Sequence, residues 1–385
     1  MDCTYFQAGL CRSCTWIERS YAQQIADKQS ACCAALPSIA ADLWEAPVPS
    51  AEAGFRNKAK MVVGGSAAQP VLGITDAQGQ AVDLTACPLY PQALQAAFSP
   101  IGEFISRAGL EPYDVAVRRG ELKFVLLTHA EHSGELGVRF VLRSRQSLAA
   151  LQTHLPVLYA ALPGLAVVSV NLQPVHQAIL EGDEEIILSP RASLTMQLNG
   201  MNLHLRPRSF FQTNTQVAAA LYRTAQAWVA ELAPQNDYFD AWDLFCGVGG
   251  FALHLASVVR GQVTGIEVSA EAIASAQQSA AELGLDNVRF QALAADAFAL
   301  GGGVVPAKTP AIVVVNPPRR GQGADLCRWL DASSVRWVLY SSCNPQSLAQ
   351  DLARMPSFAP QRAQLFDMFP HTSHGEVLVL LERKL

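Results

Sequence analysis

The chain lacks any run of about 18 uncharged apolar residues, the length a helix needs to cross a bilayer, so no membrane span is expected. Its first residues, MDCTYFQAGLCRSC, lack a basic stretch followed by an apolar one, so no secretion leader is expected and the chain reads as cytosolic. It also lacks positive charge in bulk. A net charge of −5 argues against charge-driven, non-specific binding to nucleic acid. Neither DNA nor a membrane is therefore expected as a partner, although a local basic face could still meet RNA. Internal repeats and low-complexity tracts are missing as well.

What is present is ample core material. Half of the 385 residues are apolar, enough for two domains and a small third without disulfides. The nine cysteines of a cytosolic chain are not expected to pair with one another. Three of them, Cys3, Cys11 and Cys14, fall at the very start, a clustering that suggests a metal rather than packing. Local basic groups occur at Arg56, Lys58 and Lys60; at Arg118, Arg119 and Lys123; at Arg139, Arg143 and Arg145; and at Arg319 and Arg320. Each group also reads as an ordinary solvated strand or loop face.

Three regions are expected. Residues 1–90 are rich in Cys and Ala, with a helix near 17–35 and short strands around 58–74. Residues 91–205 open on a helix, then show alternating strands (LKFVLLTHA, GVRFVLRSR), a helix over 148–162 and the strand GLAVVSVNLQ. That pattern fits an α+β domain with a mainly antiparallel sheet. Residues 206–385 change rhythm: strands near 239–245, 262–268, 288–293, 310–316 and 336–342 alternate with helices, and VLVLLER closes the chain. Regular alternation implies parallel βαβ units, hence an α/β, doubly wound, Rossmann-like sheet that binds ligands beyond its C-terminal strand ends. A monomer is expected.

The first strand of that region runs into AWDLFCGVGGF, with Gly247, Gly249 and Gly250 at the turn into a helix. Glycines there let backbone approach a ligand closely. Glu267 ends the next strand, twenty residues past Gly247, where a carboxylate can hold both ribose hydroxyls. Asp296 follows the third strand and could face an adenine, and Asn316-Pro317-Pro318 closes the fourth. The sheet alone leaves NAD open. An acidic residue on strand one (Asp243), a carboxylate after strand two and a polar-Pro-Pro element after strand four resemble class I S-adenosylmethionine methyltransferases.

VLYSSCNPQSL sets Cys343 at the end of the fifth strand, ahead of a helix that Pro345 can open. The helix start is expected to lower the thiol pKa. HTSHGEVLVLL sets Glu376 just before the final strand, at the same edge. Each residue alone has a bland reading, as core cysteine or as solvated turn carboxylate. Together they suit one chemistry. Uracil C5 is a poor nucleophile until a thiolate adds to C6 and drives charge onto C5, and a base must then remove the C5 proton so that the thiolate can leave.

The set FFQTN (210–214), DLFCGVGGF, GIEVS, NPPRRG, SSCNP and HTSHGEV resembles the RNA uracil-C5 methyltransferase family over nearly all of 206–385. The resemblance implies Cys343 as nucleophile and Glu376 as base, and it implies a cofactor site lined by Gln212, Phe245, Gly247, Glu267 and Asn316, with Asp296 nearby. The chain departs from much of the family in carrying Asn316 where Asp is usual, which keeps an acceptor and drops a charge.

Cys3, Cys11 and Cys14, with Cys87 ahead of Pro88, could ligate zinc or an iron–sulfur cluster, and spacing alone does not decide. Resemblance favours a [4Fe–4S] cluster. Cys32, Cys33, Cys246 and Cys327 read as structural. Within the family the chain most resembles the short members that methylate uracil 747 of 23S ribosomal RNA, because it starts at the cysteines with no room for an extra RNA-binding barrel. The middle domain is then expected to grip RNA. The rival readings are a base-amino methyltransferase, a non-catalytic iron–sulfur RNA-binding protein, and the same chemistry on transfer RNA.

Overall fold

The computed structural model describes residues 1–176, 179–232, 238–303 and 309–384. The chain forms two compact units. One comprises Met1–Cys14, Glu52–Gln197 and Arg206–Arg208; the other comprises Thr15–Ala51, Leu198–Leu205 and Ser209–Leu385.

The first unit is built on a seven-stranded sheet. Its strands are β1 (Lys58–Ser66), β2 (Gln69–Thr75), β3 (Ala81–Asp83), β4 (Leu122–Ala130), β5 (Glu135–Leu142), β6 (Leu165–Leu172) and β7 (Glu184–Ile187), in the order β3-β2-β1-β4-β5-β6-β7. Neighbours are antiparallel except β5 and β6, whose parallel pairing uses the helix Leu148–Ala161 as its crossover. Ala59, Met61 and Val63 of β1 share one face with Val125 and Leu127 of β4, and the helix Gln92–Arg107 covers that face with Leu94, Phe98, Ile101 and Ile105. This continuity is why the division differs from the boundary expected at residue 90. Strands on both sides of it need the same helix to leave water. Residues 15–51, expected with the front of the chain, belong instead to the second unit.

The basic groups expected on the first unit are partly neutralised. Arg139 pairs with Glu181 and Glu185, Arg143 with Glu121, and Arg145 with Glu184. Burial pushes the Lys58 ammonium down to about 8. Arg118 and Arg119 remain exposed.

A two-stranded ribbon, β8 (Leu194–Leu198) and β9 (Met201–Leu205), turns on Asn199 and Gly200, both at positive φ, as a tight two-residue hairpin demands. The second unit's sheet comprises β10 (Ala241–Leu244), β11 (Val263–Glu267), β12 (Val288–Ala292), β13 (Ile312–Val315), β14 (Trp337–Ser342), β15 (Phe358–Phe366) and β16 (Glu376–Arg383), in the order β12-β11-β10-β13-β14-β16-β15. β10 to β14 are parallel, and β16 runs antiparallel between β14 and β15. The order reverses at β10, and the crevice at that switch is where ligands bind in such sheets. Because β16 is reversed, its first residue, Glu376, lies at the edge where β13 and β14 end. β15 was not expected. Its sequence, FAPQRAQLF, alternates poorly and breaks register between Pro360 and Arg362, the behaviour of an edge strand. Bridges from Trp44 to Ala363 and from Val48 to Phe366 cover that edge. Among the described residues no helix is long and apolar enough to cross a membrane.

Candidate active site

The second unit gathers its polar groups along the C-terminal ends of β10, β11, β13 and β14. After β10 the backbone enters the left-handed region at Phe245 (φ 71), Gly247 (φ 54) and Gly249 (φ 88), a turn that a non-glycine residue adopts only under constraint. A Cβ on Gly247 would meet nothing within 4 Å, so this turn presents bare backbone to open space. Glu267 stabilises the turn. One carboxylate oxygen accepts from the Gly247 N–H at 3.2 Å and the other from the Ser269 N–H at 2.9 Å, which leaves lone pairs on both for a ligand. Gly265 on β11 is forced small, since a Cβ there would lie 2.5 Å from the Phe290 ring.

Asp243 is fully buried beneath the turn and accepts from the Ala252 N–H at 2.9 Å, with its other oxygen unpartnered among the described residues. Burial pushes its carboxyl up to about 7, the Ala252 N–H opposes the shift, and the charge of Glu267 adds to it. Gln212 is buried and Asn316 half-buried, whereas Asp296 is exposed in the first turn of the short helix Ala295–Ala299.

Cys343 and Glu376 come together through strand pairing. Ser342 is in register with Val377, so the residues just outside that pair, Cys343 and Glu376, are neighbours at the strand ends. Ser341 Oγ donates to Glu376 Oε1 at 2.5 Å. Glu376 is 2% exposed, and burial lifts its carboxyl to about 7 against the pull of that hydrogen bond. The loop after β13 packs at the same place. The Arg319 carbonyl accepts from Asn344 Nδ2 at 2.9 Å, while Asn344 Oδ1 caps the helix Pro345–Ala353 by accepting from the Gln346 N–H. Asn344 thus fixes both sides of Cys343.

The thiol pKa departs from the expected direction. Burial raises it most and the Glu376 charge raises it further, while Arg319 and the residue's own backbone N–H pull it down without prevailing. The helix start is there, but desolvation outweighs it. Replacing Glu376 by Gln is therefore expected to lower the midpoint pH of Cys343 alkylation, and Arg319→Gln to raise it. Iodoacetamide labelling followed peptide by peptide across pH measures both, and unmoved midpoints would disconnect the thiol from these charges.

Sequence reasoning found the residues at the strand ends but missed Ser341 as the partner of Glu376, although strand alternation from Cys343 could have indicated it. It also missed the loop contact in which Arg319 lies 3.3 Å from His374 Nδ1.

The model of the family described as tRNA (uracil-5-)-methyltransferase matches residues 188–384, half of the chain. The 23S rRNA (uracil(747)-C(5))-methyltransferase RlmC of Halothiobacillus neapolitanus is 57% identical over all of both chains, and that of Pectobacterium carotovorum is 53% identical over all of both. This chain belongs to the uracil-C5 methyltransferase family. In fold, this uracil-C5 methyltransferase is similar to the Pyrococcus abyssi tRNA (uracil-54, C5)-methyltransferase solved with S-adenosyl-L-homocysteine, at TM-score 0.78 and 24% identity, covering 96% of this chain and 85% of that one. The methyltransferase sheet is thus the Rossmann-like one expected, and the methyl donor is S-adenosylmethionine.

The cysteines at the front of this methyltransferase lie in its first unit. Cys14 is half-buried and its thiol is pushed up to about 12, by burial first and then by Cys87, Cys11 and Cys3. Cys87 is raised by burial and by Cys3 and Cys11. Cys14 and Cys87 are thus both within electrostatic reach of the other cysteines of the set. Among the described residues, however, no three His, Cys, Asp or Glu side chains are arranged to hold a single metal ion.

Proposed function

We propose that the protein methylates C5 of uracil 747 in 23S ribosomal RNA, acting as a monomer in the cytoplasm. The relatives named for that reaction match it end to end at 52–57% identity. The observation that carries the chemistry is the pairing of β14 with β16, which brings a thiol and a buried carboxyl of raised pKa together at one strand edge.

In this reading the target base leaves its stack and enters the edge of the sheet. Cys343 adds its sulfur to C6, and the electron pair of the C5–C6 double bond moves onto C5 and O4. When bound, S-adenosylmethionine supplies an electrophilic sulfonium methyl. Glu267 and the backbone at Gly247 would hold it, with Gln212, Phe245, Asp296 and Asn316 lining the same site. Glu376 then takes the C5 proton, the C5–C6 double bond re-forms and Cys343 leaves as thiolate. Residues 91–205 grip the RNA, and the exposed Arg118 and Arg119 offer it positive charge there.

Four cysteine thiolates suit either zinc or a [4Fe–4S] cluster, and the family resemblance favours a cluster held by Cys3, Cys11, Cys14 and Cys87. A single zinc draws four sulfurs to about 2.3 Å from one point. A cluster instead takes each thiolate on its own iron and spaces them more widely. Cys14 and Cys87 both lie within electrostatic reach of Cys3 and Cys11, which supports a centre shared by the four. The cluster would cross-link the front of the first unit. Protein purified without oxygen is expected to be brown, with about four irons and matching labile sulfide per chain, and Cys14→Ser should lose both. Colourless protein holding one zinc would overturn this assignment.

The reaction itself is tested by incubating unmodified 23S rRNA and, in parallel, transfer RNA with labelled S-adenosylmethionine and mapping the product. 5-Methyluridine at position 747 is expected. Label on transfer RNA alone, or on an exocyclic amine, would refute the proposal.

A further inference from the structure

The helix Tyr21–Ala35 in the second unit has an unusual buried stripe. Its three buried residues, Gln24, Lys28 and Cys32, follow i, i+4, i+8 spacing, but two of the three are polar. A helix held only by the hydrophobic effect would place apolar side chains there. These two instead reach the loop 367–375, which ends at Glu376.

Lys28 is 2% exposed, and its Nζ donates to Asp367 Oδ1 at 2.5 Å and to the Phe369 carbonyl at 2.9 Å. Asp367 is fully buried, and its second oxygen accepts from Tyr21 Oη at 2.8 Å. Gln24, also fully buried, accepts from the His371 N–H at 2.8 Å, and its Nε2 lies 3.2 Å from His371 Nδ1 while donating to the carbonyls of Trp16 and Arg19. The Trp16 N–H donates to the His371 carbonyl at 2.9 Å. The loop is thus gripped at Asp367, Phe369 and His371. His371 sits at φ 64, a conformation that persists for a side chain of this size only when its surroundings over-determine it. Here its N–H, carbonyl and ring nitrogen all have partners on the helix or just before it.

A desolvated lysine is costly, and apolar residues of similar volume commonly replace a buried ion pair without loss of stability. Burial does disfavour the charge on Lys28, with Asp367 opposing. Stability alone therefore does not explain this choice of side chains. A fixed loop does, because the gripped residues Asp367, Phe369 and His371 lie on the segment that leads into the buried carboxyl of Glu376.

The geometry points to Lys28 and Gln24 as positioning residues that hold the 367–375 loop so that Glu376 meets the C5 proton of the methylated adduct. This rests on the proposed reaction and assigns the front helix a part in its last step. A misplaced base should leave addition and methyl transfer intact and slow only proton removal. The signature is a protein–RNA adduct that survives denaturation.

The test compares Lys28→Met, and the double variant Lys28→Met with Asp367→Leu, against the wild type and Glu376→Gln. Removing both charges together leaves no buried charge unpaired, so the double variant is expected to fold. Turnover on 23S rRNA should fall about tenfold or more in the double variant, labelled methyl should build up in a denaturation-resistant complex, and binding of S-adenosylmethionine should stay within about twofold. Gln24→Ala should do the same more weakly. A folded double variant with wild-type turnover, or one that loses turnover without any adduct, would overturn the clamp. If Glu376→Gln traps an adduct and the double variant does not, the clamp alone fails. If neither the wild type nor Glu376→Gln transfers methyl to 23S rRNA, the reaction fails and takes the clamp with it.

Discussion

Cys343→Ala is expected to abolish 5-methyluridine formation, by at least about 10⁴-fold, while leaving S-adenosylmethionine binding within about twofold of wild type. The size follows from the chemistry. Without a sulfur on C6, C5 of a neutral uracil stays too weak a nucleophile to take a methyl group, and no rearrangement of the donor site can change that. The separation of effects follows from the fold. Cys343 lies beyond β14, whereas the turn at 245–249 and Glu267 belong to β10 and β11. Cys343 is also only half-buried, so removing its sulfur costs little packing. Single-turnover assays on unmodified 23S rRNA, together with equilibrium binding of the donor, measure both quantities. An alanine variant that still methylates would identify a base-amino methyltransferase instead, since an exocyclic amine carries its own lone pair and has no use for the thiol.

The second unit was legible in the sequence because its signals are local. DLFCGVGGF announces a strand-to-helix turn by its glycines, and the helix after SSCNP is opened by a proline and capped by Asn344. Glu376 was legible as a residue at the right edge, but its elevated pKa was not. That elevation depends on complete burial, and burial arises from β15 and β16 closing the sheet at a distance in sequence. The thiol of Cys343 shows the same limit: the helix start that would lower its pKa can be read locally, and the desolvation that outweighs it cannot. The front of the chain was least legible. Gln24 and Lys28 look like the polar face of a surface helix until their partners some 340 residues on are known. Residue 90, the expected boundary between two regions, falls inside one compact unit because β1 pairs with β4.

Glu376→Gln is expected to cut turnover by about 10²- to 10⁴-fold while accumulating a methylated Cys343–RNA adduct. Gln retains the shape of the side chain and can still bond Ser341, but it cannot take a proton, so the reaction should halt after methyl transfer. The wild type sets the matching pH dependence. Its carboxyl, held near 7 by burial, must be ionised to act, so turnover should rise with pH through about 7 and the variant should lack that limb. Folding stability should move in the opposite sense. A carboxyl whose folded pKa is raised from 4.5 to about 7 binds its proton more tightly when folded, so the wild type loses stability as pH climbs between those values. Gln escapes that loss, by at most about 3 kcal/mol, and should melt higher than wild type at pH 8 with the gap closing below pH 4.5. A variant that is more stable at high pH, inactive and covalently trapped would tie all three effects to one proton. A destabilised variant without adduct would show that Glu376 holds the strand edge together instead of serving as the base.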